Sequence, residues 1–452
     1  MSRFVPGSST TFKLFVLGML SLLLLIPLGL IHDLVQERAG MARQAEDRIA
    51  AGWGREQQLL LPMLRFEYFR DRVDKDGVVT RERRQRLLSP ASAQVAATLG
   101  VETRKLGIHA LPIYTAQVRI EGRFQPPLVL AGLDDPDSWT LQQISLAFAP
   151  GDLTGLREIR RFDVGVVDLQ LKPSTERWNL QSNDHASSAR PVLAGVLAPA
   201  MAAAASLPFQ VELELAGARA FDVIPNAAEF AVAIAGDWPH PGFAGGALPR
   251  QREISDAGFS ADWRLMDLST GIPAVIGAPD ALAGWGAQAV GVALVEPGGL
   301  YQQNERSAKY GILVLALTMA ALFLTEVLVG VRLHPFHYAL VGLALAVFYL
   351  LLLALSEHLA FVAAYLMAAG AVVVMVGGYS AAVLGGWVRG GLSAAVLATL
   401  YGFLLVLIRA EELSLLLGAI GLAVLLAAAM FLTRRLDWYS AGPTAQTAAE
   451  AP

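Results

Sequence analysis

A chain of 452 residues that is 54% hydrophobic and only 16% charged is too apolar for an ordinary soluble globular protein. Its net charge of -4, with no uninterrupted basic block, argues against a nucleic-acid partner. The absence of cysteine excludes disulfides, Cys-ligated metal centres and thiol catalysis, and leaves the redox compartment open.

The first apolar run, residues 12–31, supplies the roughly 20 residues that a ~30 Å hydrocarbon core demands of a helix. It exceeds a signal-peptide core, and no small-x-small site precedes His32 and Asp33. It is therefore read as an uncleaved anchor behind a short terminus, residues 1–11. Residues 33–58 are rich in Glu, Arg, Gln and Ala and continue the anchor as a helical stalk.

Beyond the stalk the period changes to two. Ala116, Val118, Ile120, Gly122 and Phe124 alternate with Thr115, Gln117, Arg119, Glu121 and Arg123. Val211, Leu213 and Leu215 alternate with Gln210, Glu212 and Glu214, and residues 144–148 and 290–296 fit short strands. Turn formers cluster at Pro126 and Pro127 and at 134–137. This pattern predicts half-buried antiparallel sheet. The basic stretch 81–86, broken by Glu82 and Gln85, is read as a solvated helix face.

Two tracts of this region carry alternatives. Residues 191–209 hold no charge, but Pro191, Pro199 and Pro208 argue against a spanning helix. They are read as an Ala-rich loop or a buried helix of the soluble domain. The tract 237–263 packs aromatics around turns. Trp238, His240, Phe243, Phe259 and Trp263 are either an outward contact loop for a glycan, lipid headgroup or partner protein, or core aromatics flanking those turns.

Five apolar runs fill the last third: residues 310–331, 338–355, 361–384, 392–408 and 413–432. With Arg3 and Lys13 inside, the inner connections carry Arg332, Arg389, Arg434 and Arg435. The outer ones set Arg409 against Glu357, Glu411 and Glu412, the positive-inside bias of short loops. A seventh span at 191–209 would reverse it. The expected architecture is an α+β membrane protein with six transmembrane helices, one N-terminal and five C-terminal. A large β-rich domain, residues 32–308, stands outside, the bundle spans 309–433, and the tail, 434–452, and the N-terminus are cytoplasmic. The lipid bilayer is then the first partner.

Chemistry is sparse. His334 and His337 are separated from Glu357 and His358 by a spanning helix, about 30 Å, so the four cannot share an ion and no metal site is expected. Gly378–Tyr379–Ser380–Ala381–Ala382 lacks the second glycine of a nucleophile elbow, and no P-loop or zinc-protease motif occurs. Glu326, about one and a half turns before Arg332, either snorkels to the cytoplasmic interface, or pairs with that arginine, or is a proton- or cation-relay group. Glu357, His358, Arg409, Glu411 and Glu412 form a candidate outward polar cluster. Gly377, Ala381 and Gly385 make a small-residue stripe for packing within the bundle or for a homo-oligomer.

The segments WPHPGFAGGALP, GFSADW and VEPGGLYQQNERSAKY resemble the CreD family of bacterial inner-membrane proteins. So do LHPFHYALVGLALAVFYLLLLALSEH, TRRLDWY and LGIHALPIYTAQVRIEGRF, so that the resemblance covers nearly the whole chain in order. It departs at 54–64, where Leu61 and Pro62 stand in place of the family's Gly-Pro. The resemblance implies a non-enzymatic cell-envelope integrity protein with a periplasmic domain, associated with colicin tolerance and stress-response regulons. It offers no cofactor and no catalytic residue. The alternative is a small transporter or ion-coupled membrane regulator using Glu326.

Overall fold

The structure, a computed structural model, describes residues 10–73, 79–130, 138–181, 189–243, 245–296, 299–329, 333–410 and 414–433. Arg3, the turn at 134–137, Arg332, Glu411, Glu412, Arg434 and Arg435 lie outside the described residues. The chain divides into two compact units, Arg43–Pro297 and Met1–Ala42 with Gly298–Pro452.

Helix α1 runs without interruption over Thr10–Trp53. Its 44 residues extend about 66 Å, roughly twice the length a spanning helix needs. Gly54 ends it at φ +149, where a Cβ would lie 2.4 Å from the Ala216 carbonyl oxygen.

The Arg43–Pro297 unit is two sheets packed over a shared apolar core, with a second buried cluster around Leu60, Met63, Trp178 and Trp285. The first runs in the order Pro241–Gly242, Val290–Leu294, Ala220–Ile224, Gln57–Val73, Thr140–Ala149, Ala189–Leu197, Lys172–Asn179; Val79–Leu88 also pairs with Gln57–Val73 and carries Val275–Ile276. The second runs Gln251–Ser255, Gly258–Met266, Glu229–Gly236, Ser92–Leu106, His109–Phe124, Leu207–Ala218, Leu156–Val164, Val167–Asp168. Alternation decides which face of the second sheet is buried, whereas the first sheet is buried on both faces around residues 59–64. Val95, Val118, Val211 and Trp263 from the second sheet meet Leu59, Leu61, Phe66 and Ile144 from the first. Most pairs are antiparallel, as the alternation predicts, but Gln57–Val73 with Ala220–Ile224 and Ser92–Leu106 with Glu229–Gly236 are parallel.

Two local readings are corrected. Residues 191–209 are neither loop nor helix throughout: Ala189–Leu197 is a strand and Pro199–Ala203 a 3₁₀ turn, followed by a strand from Leu207. Pro199 fits the first position of its turn, where no N–H is needed, and Val192, Leu193 and Leu197 are buried. The stretch 81–86 is strand, not helix face. Two of its charges are matched across the ladder, Glu82 with Arg70 at 2.7 Å and Arg81 with Asp71 at 2.8 Å.

Pro62 sits inside the long Gln57–Val73 strand, at the point where that strand exchanges one neighbour for another. Residues 57–60 pair with Ala220–Ile224, and residues 64–73 with Val79–Leu88. A bulge against Thr140–Ala149 falls between Leu60 and Met63. Buried Asn226 replaces the missing ladder partner, accepting from the Leu61 N–H at 3.0 Å and donating to the Leu61 carbonyl at 3.3 Å. Asn226→Ala leaves both groups buried and unmet. It is expected to cost about 2 kcal/mol, read as a lower denaturation midpoint, and an unchanged midpoint would show the bulge to be self-sufficient.

The other unit holds helices α2 (Leu300–Lys309), α3 (Gly311–Val329), α4 (Pro335–Ser356), α5 (Phe361–Val383), α6 (Trp387–Arg409) and α7 (Ser414–Thr433). Among the described residues, four helices, α1 and α4 to α6, are long and apolar enough to cross a membrane. A fifth is counted if the pair α2 and α3, bent by 43°, is one span. Phe348 packs at 4.5 Å from Tyr401 and 5.3 Å from Tyr365, and Tyr365 donates to the Tyr401 carbonyl at 2.8 Å, tying α4, α5 and α6 together. Of the small-residue stripe, Gly377 and Ala381 face α6. A Cβ on Gly390 would lie 2.4 Å from the Ala381 Cβ, and one on Gly377 2.8 Å from that of Ala394. These two residues are therefore occupied within the chain, while Gly385 follows the helix at φ +70.

Candidate functional site

Polar side chains gather in three places. The first lies inside the helical unit. Glu326 on α3 is buried and accepts a hydrogen bond from the Tyr338 hydroxyl of α4 at 2.6 Å. Close by in sequence, His337 Nδ1 and the Tyr379 hydroxyl are hydrogen-bonded across α4 and α5. Thr325, His337, Tyr338, Tyr379 and Ser380 border a cavity of about 20 Å³, room for a single water. His334 takes no part in it: it caps α4, its Nδ1 accepting from the Phe336 N–H at 3.2 Å.

The second is at the opposite end of α4. Glu357 faces Arg38 of α1 at 3.8 Å. Among the described residues no hydrogen bond or ion pair joins Glu357 to His358 or Arg409, both of which are exposed, and Glu411 lies outside the described residues. The expected outer cluster is thus represented by one ion pair whose basic member, Arg38, carries no signal in the sequence. Beside it Asn304 of α2 donates to the Ser356 hydroxyl at 2.9 Å, with Ser307 buried one turn on.

The third belongs to the sheet unit and includes the end of α1. Trp53 donates its indole N–H to the Tyr114 carbonyl at 3.1 Å, and the guanidinium groups of Arg104 and Arg157 lie 4.4 and 4.7 Å from its ring centroid. Arg157 also donates to the Trp53 carbonyl at 2.6 Å. Ala50, with Ile49 and Trp53 beside it, packs on Leu111, Ile113 and Ala218. Arg219 completes the clamp, reaching Glu46 and Asp47 at 3.0 Å each from a backbone at φ +63. A non-glycine residue held left-handed is strained, and here the strain aims the guanidinium at the helix.

Next to this clamp opens a cleft of about 370 Å³, lined chiefly by Arg55, Glu56, Gln58, Arg190, Arg219 and Asp222. Arg190 donates to the Gln58 side-chain oxygen at 2.6 Å and to the Gln58 carbonyl, and Gln58 in turn donates to Gly286 O at 2.9 Å. Burial, with repulsion from Glu56 added, pushes the Asp222 carboxyl up to about 6 against the pull of Arg190. Burial also lowers the Arg190 pKa.

The aromatic tract resolves into separate fates. Trp263 is 1% exposed and Phe259 5%, both in the core, with Phe243 edge-on to each at 6.0 and 6.1 Å. These two offer no surface to a partner. Trp238 is half-buried and donates to Val295 O at 3.1 Å, which leaves His240 as the exposed member.

The family model described as Inner membrane protein CreD matches residues 9–439, from the start of α1 past the end of α7. The chain belongs to the CreD family. It is similar to Inner membrane protein CreD of Escherichia coli (strain K12), with 32% identity over 422 residues, 93% of this chain and 91% of the relative. It is accordingly a membrane protein of the CreD type, with several apolar helices and a large β-rich unit. The CreD-like segment LYQQNERSAKY is α2 with its C-cap Tyr310, and its buried polar face is Asn304 and Ser307. The cleft residues escape sequence reasoning because they are drawn from three distant stretches of chain. A strand residue as polar as Asp222, flanked by Phe221 and Val223, is the one available signal.

Proposed function

We propose that this CreD-family protein is a non-enzymatic support of cell-envelope integrity, whose sheet domain stands in the periplasm and contacts an envelope component or partner protein. Six spans with both termini cytoplasmic, oriented by the positive-inside bias, complete the reading. The observation that carries it is the clamp on α1. Trp53, Arg219 and the apolar contacts of Ala50 fix the sheet domain to the end of α1, so the domain is built onto a helix and not hung from a loop.

A second reading, an ion-coupled membrane regulator, is favoured by one observation: Glu326 is buried with a tyrosine donor beside a water-sized cavity. One experiment separates the two. A null strain is complemented with the full-length protein, with residues 1–307, and with full-length Glu326→Gln, and scored for envelope leakage under detergent stress. The envelope reading expects the first and third to rescue fully at equal membrane abundance. Loss of rescue by Glu326→Gln alone would place the regulator first. Failure of all three would remove the envelope reading.

A further inference from the structure

The cleft beside the α1 clamp has the makings of a binding site. Part of its wall is prebuilt. Arg190 is held by Gln58, Gln58 by Gly286, and Arg219 by Glu46 and Asp47, so Arg190 needs no reordering to meet a ligand. Asp222 stands on its strand opposite Gln58 on one side and Gly291 on the other. Gly291 is required there: a Cβ would lie 2.4 Å from the Asp222 carboxylate oxygen and 2.2 Å from the Phe221 carbonyl. The carboxylate therefore occupies the space a neighbouring side chain would fill. Among the described residues it accepts no hydrogen bond, although Arg190 lies close enough to attract it.

The charges facing Asp222 come from every wall. Arg55 and Glu56 precede the Gln57–Val73 strand, Arg190 lies on Ala189–Leu197, Arg219 on its own segment, and Asp47 on α1. Arg219 and Asp47 satisfy each other. What remains is an acidic pair, Asp222 with Glu56, that repels itself, and a basic pair, Arg190 with Arg55. An acidic and a basic pair sharing one cleft complement a molecule carrying an ammonium at one end and a carboxylate at the other. A volume of about 370 Å³ lies at the small end of ligand sites, suited to an amino acid or dipeptide.

We infer that this cleft binds a small zwitterion, its ammonium between Asp222 and Glu56 and its carboxylate on Arg190 and Arg55. The inference stands independently of the envelope reading, because its test measures binding. Titration calorimetry is run on the full-length protein in lipid nanodiscs, with alanylalanine as probe and N-acetylalanine and alanine amide as controls. The expected result is saturable binding of alanylalanine at pH 7.5, at least tenfold weaker binding of each single-charge control, and at least tenfold weaker alanylalanine binding at pH 5. Glu56→Gln, at an exposed position with little structural risk, is expected to weaken the dipeptide more than tenfold, and Asp222→Asn to abolish it. No saturable heat with alanylalanine up to ~10 mM overturns the proposal. So does equal affinity for the single-charge compounds, or unchanged affinity in a Glu56→Gln protein of normal melting temperature.

Discussion

Trp263→Ala is expected to lower the stability of the sheet domain by about 3–5 kcal/mol, the cost of removing a large buried aromatic and leaving its cavity. The ring is 1% exposed, receives the edge of Phe243, and donates its N–H to the Ala247 carbonyl at 3.1 Å. Trp238→Ala, at a half-buried site with a single hydrogen bond to Val295 O, is expected to cost about 1–2 kcal/mol. Urea denaturation followed by circular dichroism compares the two. Equal losses would contradict the placement of Trp263 between the sheets. The comparison also guards functional work on the 237–263 tract. An envelope defect caused by Trp263→Ala reports unfolding, whereas a defect caused by substituting exposed His240 in a stable protein would report lost contact.

The architecture is legible in the sequence where a local period governs it. The alternation at 115–124 becomes the His109–Phe124 strand, and the charge-poor runs of the last third become helices, because each pattern is dictated by one neighbour: a core or a bilayer. Pairing over distance is not legible. The parallel partnership of Gln57–Val73 with Ala220–Ile224 joins segments more than 150 residues apart and leaves no local mark. Residues 191–209 mislead because alanine dominance hides alternation, although Val192 and Leu193 are buried. The basic stretch 81–86 misleads because its acidic partner Asp71 lies on the preceding strand and is visible only once the register is known.

The same distinction runs through the polar sites. Glu326 can be found from sequence because a carboxylate in an apolar run is conspicuous wherever its partner lies. Its donor, Tyr338, looks like any interfacial tyrosine until α3 and α4 are packed. The α1 clamp combines Trp53 and residues 46–47 with Arg104, Arg157 and Arg219, each unremarkable alone. Such arginines read as solvated charge, and only the strained φ of Arg219 sets one of them apart.

Asp222→Asn is expected to stabilise the protein at neutral pH. A carboxyl raised from 3.8 to about 6 in the folded state holds its proton over a range in which the unfolded chain has released it. The folded state then binds more protons between about pH 4 and 6, so stability falls as pH rises through that window, and above it the whole penalty is present. At ~1.36 kcal/mol per pH unit the penalty is at most about 3 kcal/mol. Neutral asparagine escapes it. The variant should therefore match the natural protein near pH 4, exceed it increasingly through about pH 6, and keep a constant margin by pH 7.5, as read from denaturation midpoints across the series. A difference that does not change with pH, or a variant less stable at pH 7.5, would show that the carboxylate is already compensated by Arg190. A cation seated between Asp222 and Glu56 would relieve both the burial cost and the repulsion, so the stability gap should close when the zwitterion is bound.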